Sequence, residues 1–218
     1  MLKVGLTGGI ASGKSAVGEM FVALGAQLIQ ADKISHALMQ PGETVYEEVV
    51  RHFGREILNP DGSVNRSELA DIVFAKPTDG QSKPRIEELN RIVHPAVLRR
   101  EDEWMLEIGR KDPHAVAIVE AALLLEAGGA GRYDHLIVVT CNEEQRVARF
   151  AARQKIDLAA ASKEVARRMA AQLSEEEKIK AADFLIDNSG SLDQTRVQVQ
   201  QLWEKLHLEA ALTTGTTL

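Results

Sequence analysis

Residues Gly8-Gly9-Ile10-Ala11-Ser12-Gly13-Lys14-Ser15 match the pattern G-x-x-x-x-G-K-[ST] at every required position. Each residue type has a chemical reason to be there. Glycines let the backbone take positive φ and wrap a phosphate with its N–H groups. A helix opening at the lysine presents its positive end to the same anion. Lys14 reaches the β- and γ-phosphates of a nucleoside triphosphate, and the Ser15 hydroxyl ligates Mg²⁺. Gly8, Gly9, Ala11, Ser12, Gly13, Lys14, Ser15 and Ala16 are therefore the candidate contacts to ATP. Roughly one random chain of this length in a hundred would contain the pattern, so its weight comes from its setting between a predicted strand and an amphipathic helix.

A second candidate is Asp32, at the end of a predicted second strand over Ala26–Ala31. Parallel strands share one carboxyl edge, and ligands bind outside it. A carboxylate there can orient an acceptor hydroxyl and take its proton late in phosphoryl transfer. The same residue type caps helices well, and a helix over Lys33–Met39 would follow it; both readings stand on the residue alone. Arg146, Arg149 and Arg153 fall at i, i+3 and i+7 of a predicted helix and so share one face, with Arg167-Arg168 further on. Cations that close on a transferring phosphoryl group need such an arrangement. A solvated face balanced by Glu143, Glu144 and Glu164 gives the same pattern. N-K-x-D is absent, which disfavours a regulatory GTPase.

These residues require elements to position them. Strands are expected over Leu2–Thr7, Ala26–Ala31, Ala115–Val119, His135–Thr140 and Asp183–Ile186. Helices are expected over Gly13–Leu24, with Gly25 to end it, and over Glu143–Arg153, Ser162–Gln172, Glu175–Ala181 and Leu192–Leu206. Asn65 with Glu68, and Ser174 with Glu177, have capping-box spacing. A long amphipathic stretch over Lys83–Ile108 should kink or break at His94-Pro95. Strands alternating with helices imply a parallel sheet with right-handed crossovers. The helical block from about Arg66 to Gly109 reads as an insertion into it.

Composition narrows the class. With 218 residues, 44% of them hydrophobic and 4% aromatic, the chain has the makings of one medium α/β domain whose core relies on Leu, Ile, Val and Ala. A net charge of −6 without a basic run argues against nucleic-acid binding. The single Cys141 excludes an intrachain disulfide and suits a reducing cytoplasm. The longest apolar stretch, Ala115–Leu125, is split by Glu120 and is too short for a membrane span.

The full set of motifs resembles the dephospho-CoA kinase family. The marks are Leu6–Ser15, Ala31-Asp32-x-Ile34-Ser35-His36, Asp61–Arg66, His94-Pro95-x-Val97, Leu123–Glu126, Arg168–Gln172, and Ala182-Asp183 with Asn188 and Gly190. The resemblance runs from about Lys3 to Leu206. It implies a P-loop NTPase three-layer α/β sandwich with a five-stranded parallel sheet over residues 3–207. It also implies a helical substrate-binding insertion at about 60–110, a lid at about 146–175 and a frayed tail over 208–218. The implied reaction moves a phosphoryl group from ATP, with Mg²⁺, to the ribose 3′-hydroxyl of dephospho-CoA. Asp32 would receive the hydroxyl, Arg149 or Arg153 would be the lid arginine, and Asn188 would lie near the adenine. A cytoplasmic monomer or weak homo-oligomer is expected. The chain departs from the family at Ala122 and Leu125 (usually Pro and Phe), at Gln30 (usually Asp), and at Gln154-Lys155 after Arg153, where an Asp is usual. The loop alone would also fit a kinase of nucleoside monophosphates or sugars, an ATP-hydrolysing switch, or a non-catalytic binding module.

Overall fold

The computed structural model describes residues 1–74, 85–170 and 172–212; expectations for 75–84, 171 and 213–218 lie outside the described residues. The chain begins with β1 (Leu2–Gly8), α1 (Lys14–Leu24), β2 (Gln27–Gln30), α2 (Ala31–Leu38) and α3 (Thr44–Phe53). After a 3-10 turn at Arg55–Ile57 come α4 (Arg66–Phe74), α5 (Ile86–Lys111) and β3 (Val116–Glu120). A second 3-10 turn at Ala130–Arg132 leads to β4 (His135–Thr140), α6 (Glu143–Gln154), α7 (Leu158–Met169), α8 (Glu175–Ala181), β5 (Phe184–Asp187) and α9 (Leu192–Leu212). Two compact units result, one of Met1–Gln30 with Met105–Leu218 and one of Ala31–Trp104.

The first unit is built on a five-stranded sheet in the order β2-β3-β1-β4-β5, every neighbouring pair parallel. Alternation along the strands explains how both faces are covered. Leu2, Val4 and Leu6 of β1 and Ile137 and Val139 of β4 share a cluster with Val17 and Phe21 of α1 and Val199, Leu202 and Leu206 of α9. The intervening Leu136 and Val138 pack on the opposite side with Leu124 and Tyr133. Successive strand residues point to opposite faces, so a strand covered on both sides reads as an unbroken apolar run. Each such side chain contributes about 1.5–3 kcal/mol by burial.

Element ends moved where tertiary pairing outweighed local pattern. β3 runs one residue beyond its expected end because Glu120 pairs with Leu6 of β1 and Gln30 of β2. α7 starts at Leu158, not Ser162, because the Asp157 side chain accepts from Ala160 N at 2.8 Å and caps it there. α8 carries the expected capping box between Ser174 and Glu177. α9 continues to Leu212, through residues given above to a frayed tail, and Ala210 is fully buried.

In the second unit α2 begins at Ala31, so Asp32 lies inside its first turn rather than capping it. Its charge there suits the positive end of the helix. The Asn65 side chain caps α4, accepting from Ser67 N at 3.1 Å and Glu68 N at 3.2 Å. The box is not reciprocal, because Asn65 N donates to Ile57 O at 2.7 Å. α5 runs without a break through Pro95. An interior proline costs a helix about 3 kcal/mol, and burial of Val93, Ala96 and Val97 around it offsets that cost.

Candidate nucleotide-phosphate site

β1 ends at Gly8, opposite Val139 of β4. A Cβ on Gly8 would collide with the Val139 carbonyl oxygen, so only glycine lets the chain leave the strand there. The loop then passes through Ala11 at φ 54° and Gly13 at φ 94° before α1 starts at Lys14. A non-glycine residue in this region is strained by about 1–3 kcal/mol and persists only where its surroundings hold it.

The surroundings hold three successive carbonyls. Arg146 Nη1 donates to Ile10 O at 3.1 Å, and Cys141 Sγ donates to Ala11 O at 3.8 Å. Ser12 O accepts from Asn188 Nδ2 at 2.8 Å and from Arg149 Nη1 at 3.3 Å. In a trans peptide the N–H points opposite to the C=O. The amides of Ala11 and Gly13 therefore point away from these partners, where a phosphate can take them. Ser12 Oγ is buried without a hydrogen-bond partner, a donor available to the same anion. The loop is thus held from behind and open in front.

At the start of α1, Ser15 Oγ donates to Glu120 Oε1 at 2.6 Å, and Gln30 Nε2 donates to Glu120 Oε2. Glu120 is 5% exposed and ends β3 beside the loop. A hydroxyl and a carboxylate in contact are hard oxygen donors, which is what Mg²⁺ takes from a protein when phosphates and water fill its other positions. These residues fit the ion. Gln30 also explains itself: an aspartate in its place would set a second negative charge against Glu120, whereas the amide donates.

The arginines divide. Arg149 lies against the loop, its Nη2 donating to Asn188 O at 3.0 Å. Arg146 is buried behind the loop, paired with Glu175 at 2.9 Å. Arg153 sits a turn further along α6, its guanidinium 5.6 Å from the Phe150 ring centroid. Arg167 and Arg168 both bind Glu164, at 2.7 Å and 2.6 Å. Asn188 commits its side chain to scaffolding, donating to Ser12 O and accepting from Thr195 Oγ1 at 2.9 Å. Burial raises the Cys141 thiol pKa, with Arg146 and Arg149 acting in the opposite direction, so it stays a neutral donor to the loop. Asp32 belongs to the second unit, where it acts electrostatically on Arg66, opposing the fall that burial imposes on that guanidinium.

The loop residues, Lys14, Ser15, Arg149 and Asn188 are thus gathered at one end of the sheet in the first unit. Glu120, Gln30 and the supporting roles of Cys141 and Arg146 were not foreseen. The signal for Glu120 was present: an apolar run that ends in an acid, on a strand that must neighbour β1.

Comparison with known proteins bears on what this site serves. A sequence model of the dephospho-CoA kinase family matches residues 2–194. The chain is 42% identical over 201 residues to the dephospho-CoA kinase of Symbiobacterium thermophilum, spanning 92% of this chain and 79% of that protein. To the Aquifex aeolicus enzyme it is 39% identical over 206 residues, spanning 94% and 98%. Among solved structures, TT1252 from Thermus thermophilus superposes with a TM-score of 0.73 at 31% identity, over 99% of this chain and 98% of that one. The dephospho-CoA kinase of Campylobacter jejuni does so with 0.66 at 26% identity, over 95% and 98%. A nearly full-length family match, together with a phosphate loop held open at the edge of a five-stranded parallel sheet, makes this chain a member of the dephospho-CoA kinase family.

Proposed function

We propose that this protein transfers the γ-phosphoryl group of ATP to the ribose 3′-hydroxyl of dephospho-CoA, giving coenzyme A and ADP. The observation that carries the nucleotide half is the loop itself: the carbonyls of Ile10, Ala11 and Ser12 are held from behind, leaving the Ala11 and Gly13 amides for phosphate. Family membership supports the choice of acceptor.

In this reading the 3′-oxygen forms a bond to the γ-phosphorus as the bond to the β,γ-bridging oxygen breaks. Lys14, Arg149 and Arg153 stabilise the charge that spreads over the transferring group. Asp32 orients the acceptor hydroxyl and takes its proton, then releases it to water. Ser15 and Glu120 would hold Mg²⁺, which when bound with ATP neutralises charge on the β- and γ-phosphates. Catalysis of this kind consists mostly of positioning and electrostatics. In the same reading the helical insertion over about 60–110 offers the surface for the coenzyme, and residues about 146–175 serve as the lid.

The test is an incubation of the purified protein with ATP, Mg²⁺ and a panel of acceptors containing dephospho-CoA, nucleoside monophosphates and sugars. A mass gain of one phosphate on dephospho-CoA alone is expected. Phosphorylation of another member instead, or ATP hydrolysis indifferent to every acceptor, would overturn the reading.

A further inference from the structure

We infer that Arg146 and Glu175 form a buried strut that sets the shape of the phosphate loop, so that ATP affinity is governed in part by a carboxylate on α8 that touches no nucleotide. The inference rests on the nucleotide half of the reading above.

Arg146 is the largest fully buried side chain in the described residues, 1% exposed. It leaves the first turn of α6 and runs behind the loop. Its Nη1 holds Ile10 O at 3.1 Å, and its Nη2 holds Cys141 O at 3.2 Å. The same Nη2 meets both Glu175 oxygens, at 2.9 and 3.0 Å. The guanidinium also packs directly on Gly9, where a Cβ would collide with it. Glu175 is the first residue of α8, behind its Ser174 cap. A cavity lined by Gly9, Arg146, Gln172, Ser174, Glu175 and Lys178 lies along this path, with the loop and the start of α8 as walls.

The chemistry separates this arginine from its neighbours on the helix. A guanidinium whose charge is met by a carboxylate, and whose donors are spent on two carbonyls, is not a cation waiting for a phosphate. It is a cross-link. The peptide it grips precedes Ala11, whose backbone is in the left-handed region. That is the point where the loop depends on outside contacts to keep its form. Removal of Glu175's charge leaves a buried cation uncompensated. Arg146 would then turn toward water and release Ile10 O. Arg146 is therefore a positioning residue, acting through the loop amides.

Direct ATP binding by calorimetry, with steady-state kinetics toward dephospho-CoA, tests this. Glu175→Gln is expected to weaken ATP binding about tenfold, with kcat and the KM for dephospho-CoA within about twofold of the parent. Arg146→Lys keeps the charge but cannot serve two carbonyls and a carboxylate together, and it is expected to show the same pattern. The double variant Arg146→Gln/Glu175→Gln, which buries no lone charge, should bind ATP more tightly than the summed losses of Arg146→Gln and Glu175→Gln, each measured alone, predict. If Glu175→Gln does not fold, Glu175→Asp, one methylene shorter, is measured in its place and should weaken ATP binding with kcat preserved. Unchanged ATP affinity in the folded variant, or a fall in kcat alone, would overturn the strut. A parent protein that fails to bind ATP would overturn the nucleotide reading instead, so the two failures are distinguishable.

Discussion

At the residue scale the site is a matter of which groups are already committed. Asn188, Arg146 and Cys141 each donate to a carbonyl of the loop, so they shape the phosphate site. Asp32 is different: it stands in the first turn of α2 with Arg66 as its electrostatic neighbour. A carboxylate that takes the acceptor's proton is worth about 10²–10⁴ in rate. Asp32→Asn should accordingly lower kcat at least about a hundredfold while leaving ATP affinity as it was. Turnover near that of the parent would remove Asp32 from the mechanism.

At the scale of elements, two helices allow sharper expectations. Glu164 on α7 receives Arg167 Nε at 2.8 Å, Arg167 Nη2 at 2.7 Å and Arg168 Nε at 2.6 Å. Those hydrogen bonds, first from Arg167 and then from Arg168, lower its carboxyl pKa from 4.5 to about 2. A folded value below the unfolded one means the cluster supports α7 fully above pH 4.5 and loses that support as pH falls through about 2. Carboxyl-detected NMR titration should find the Glu164 midpoint near 2, and Arg167→Ala should move it back toward 4.5. α5 offers the second case. Pro95 is exposed within a continuous helix, so Pro95→Ala restores a backbone donor without opening a cavity. Denaturant unfolding should show a gain in stability of up to about 3 kcal/mol. A loss would mean that the ring's fixed φ is what the packing of Val93, Ala96 and Val97 requires.

Across the whole molecule, the first unit is closed by the last helix. α9 packs on α1 and places Val199, Leu202, Leu206 and Ala210 in the cluster that covers one face of the sheet. Its end is fixed by polar contacts too: His114 Nδ1 meets Ala210 O at 3.3 Å, and His135 pairs with Glu209 at 2.8 Å. A chain ended after Lys205 should lose about 2–5 kcal/mol of stability, the cost of one buried leucine with its cavity. An unchanged thermal midpoint would show that this last stretch is dispensable. No helix among the described residues is long and apolar enough to cross a membrane.

The sequence by itself determined the parts whose signals are local. The phosphate loop, the five strands and the caps at Ser174 and Asn65 each rest on neighbouring residues, and each was legible at its place in the chain. What only the tertiary structure decided was what distant residues do to one another. Glu120 meets Ser15 and Gln30 because parallel pairing sets β3 between β1 and β2. Arg146 is a strut and not a lid cation because α8 brings Glu175 to it. α5 passes through Pro95 because buried neighbours outweigh a local penalty. A helical face shows which side chains travel together; what they meet depends on contacts between residues far apart in the chain.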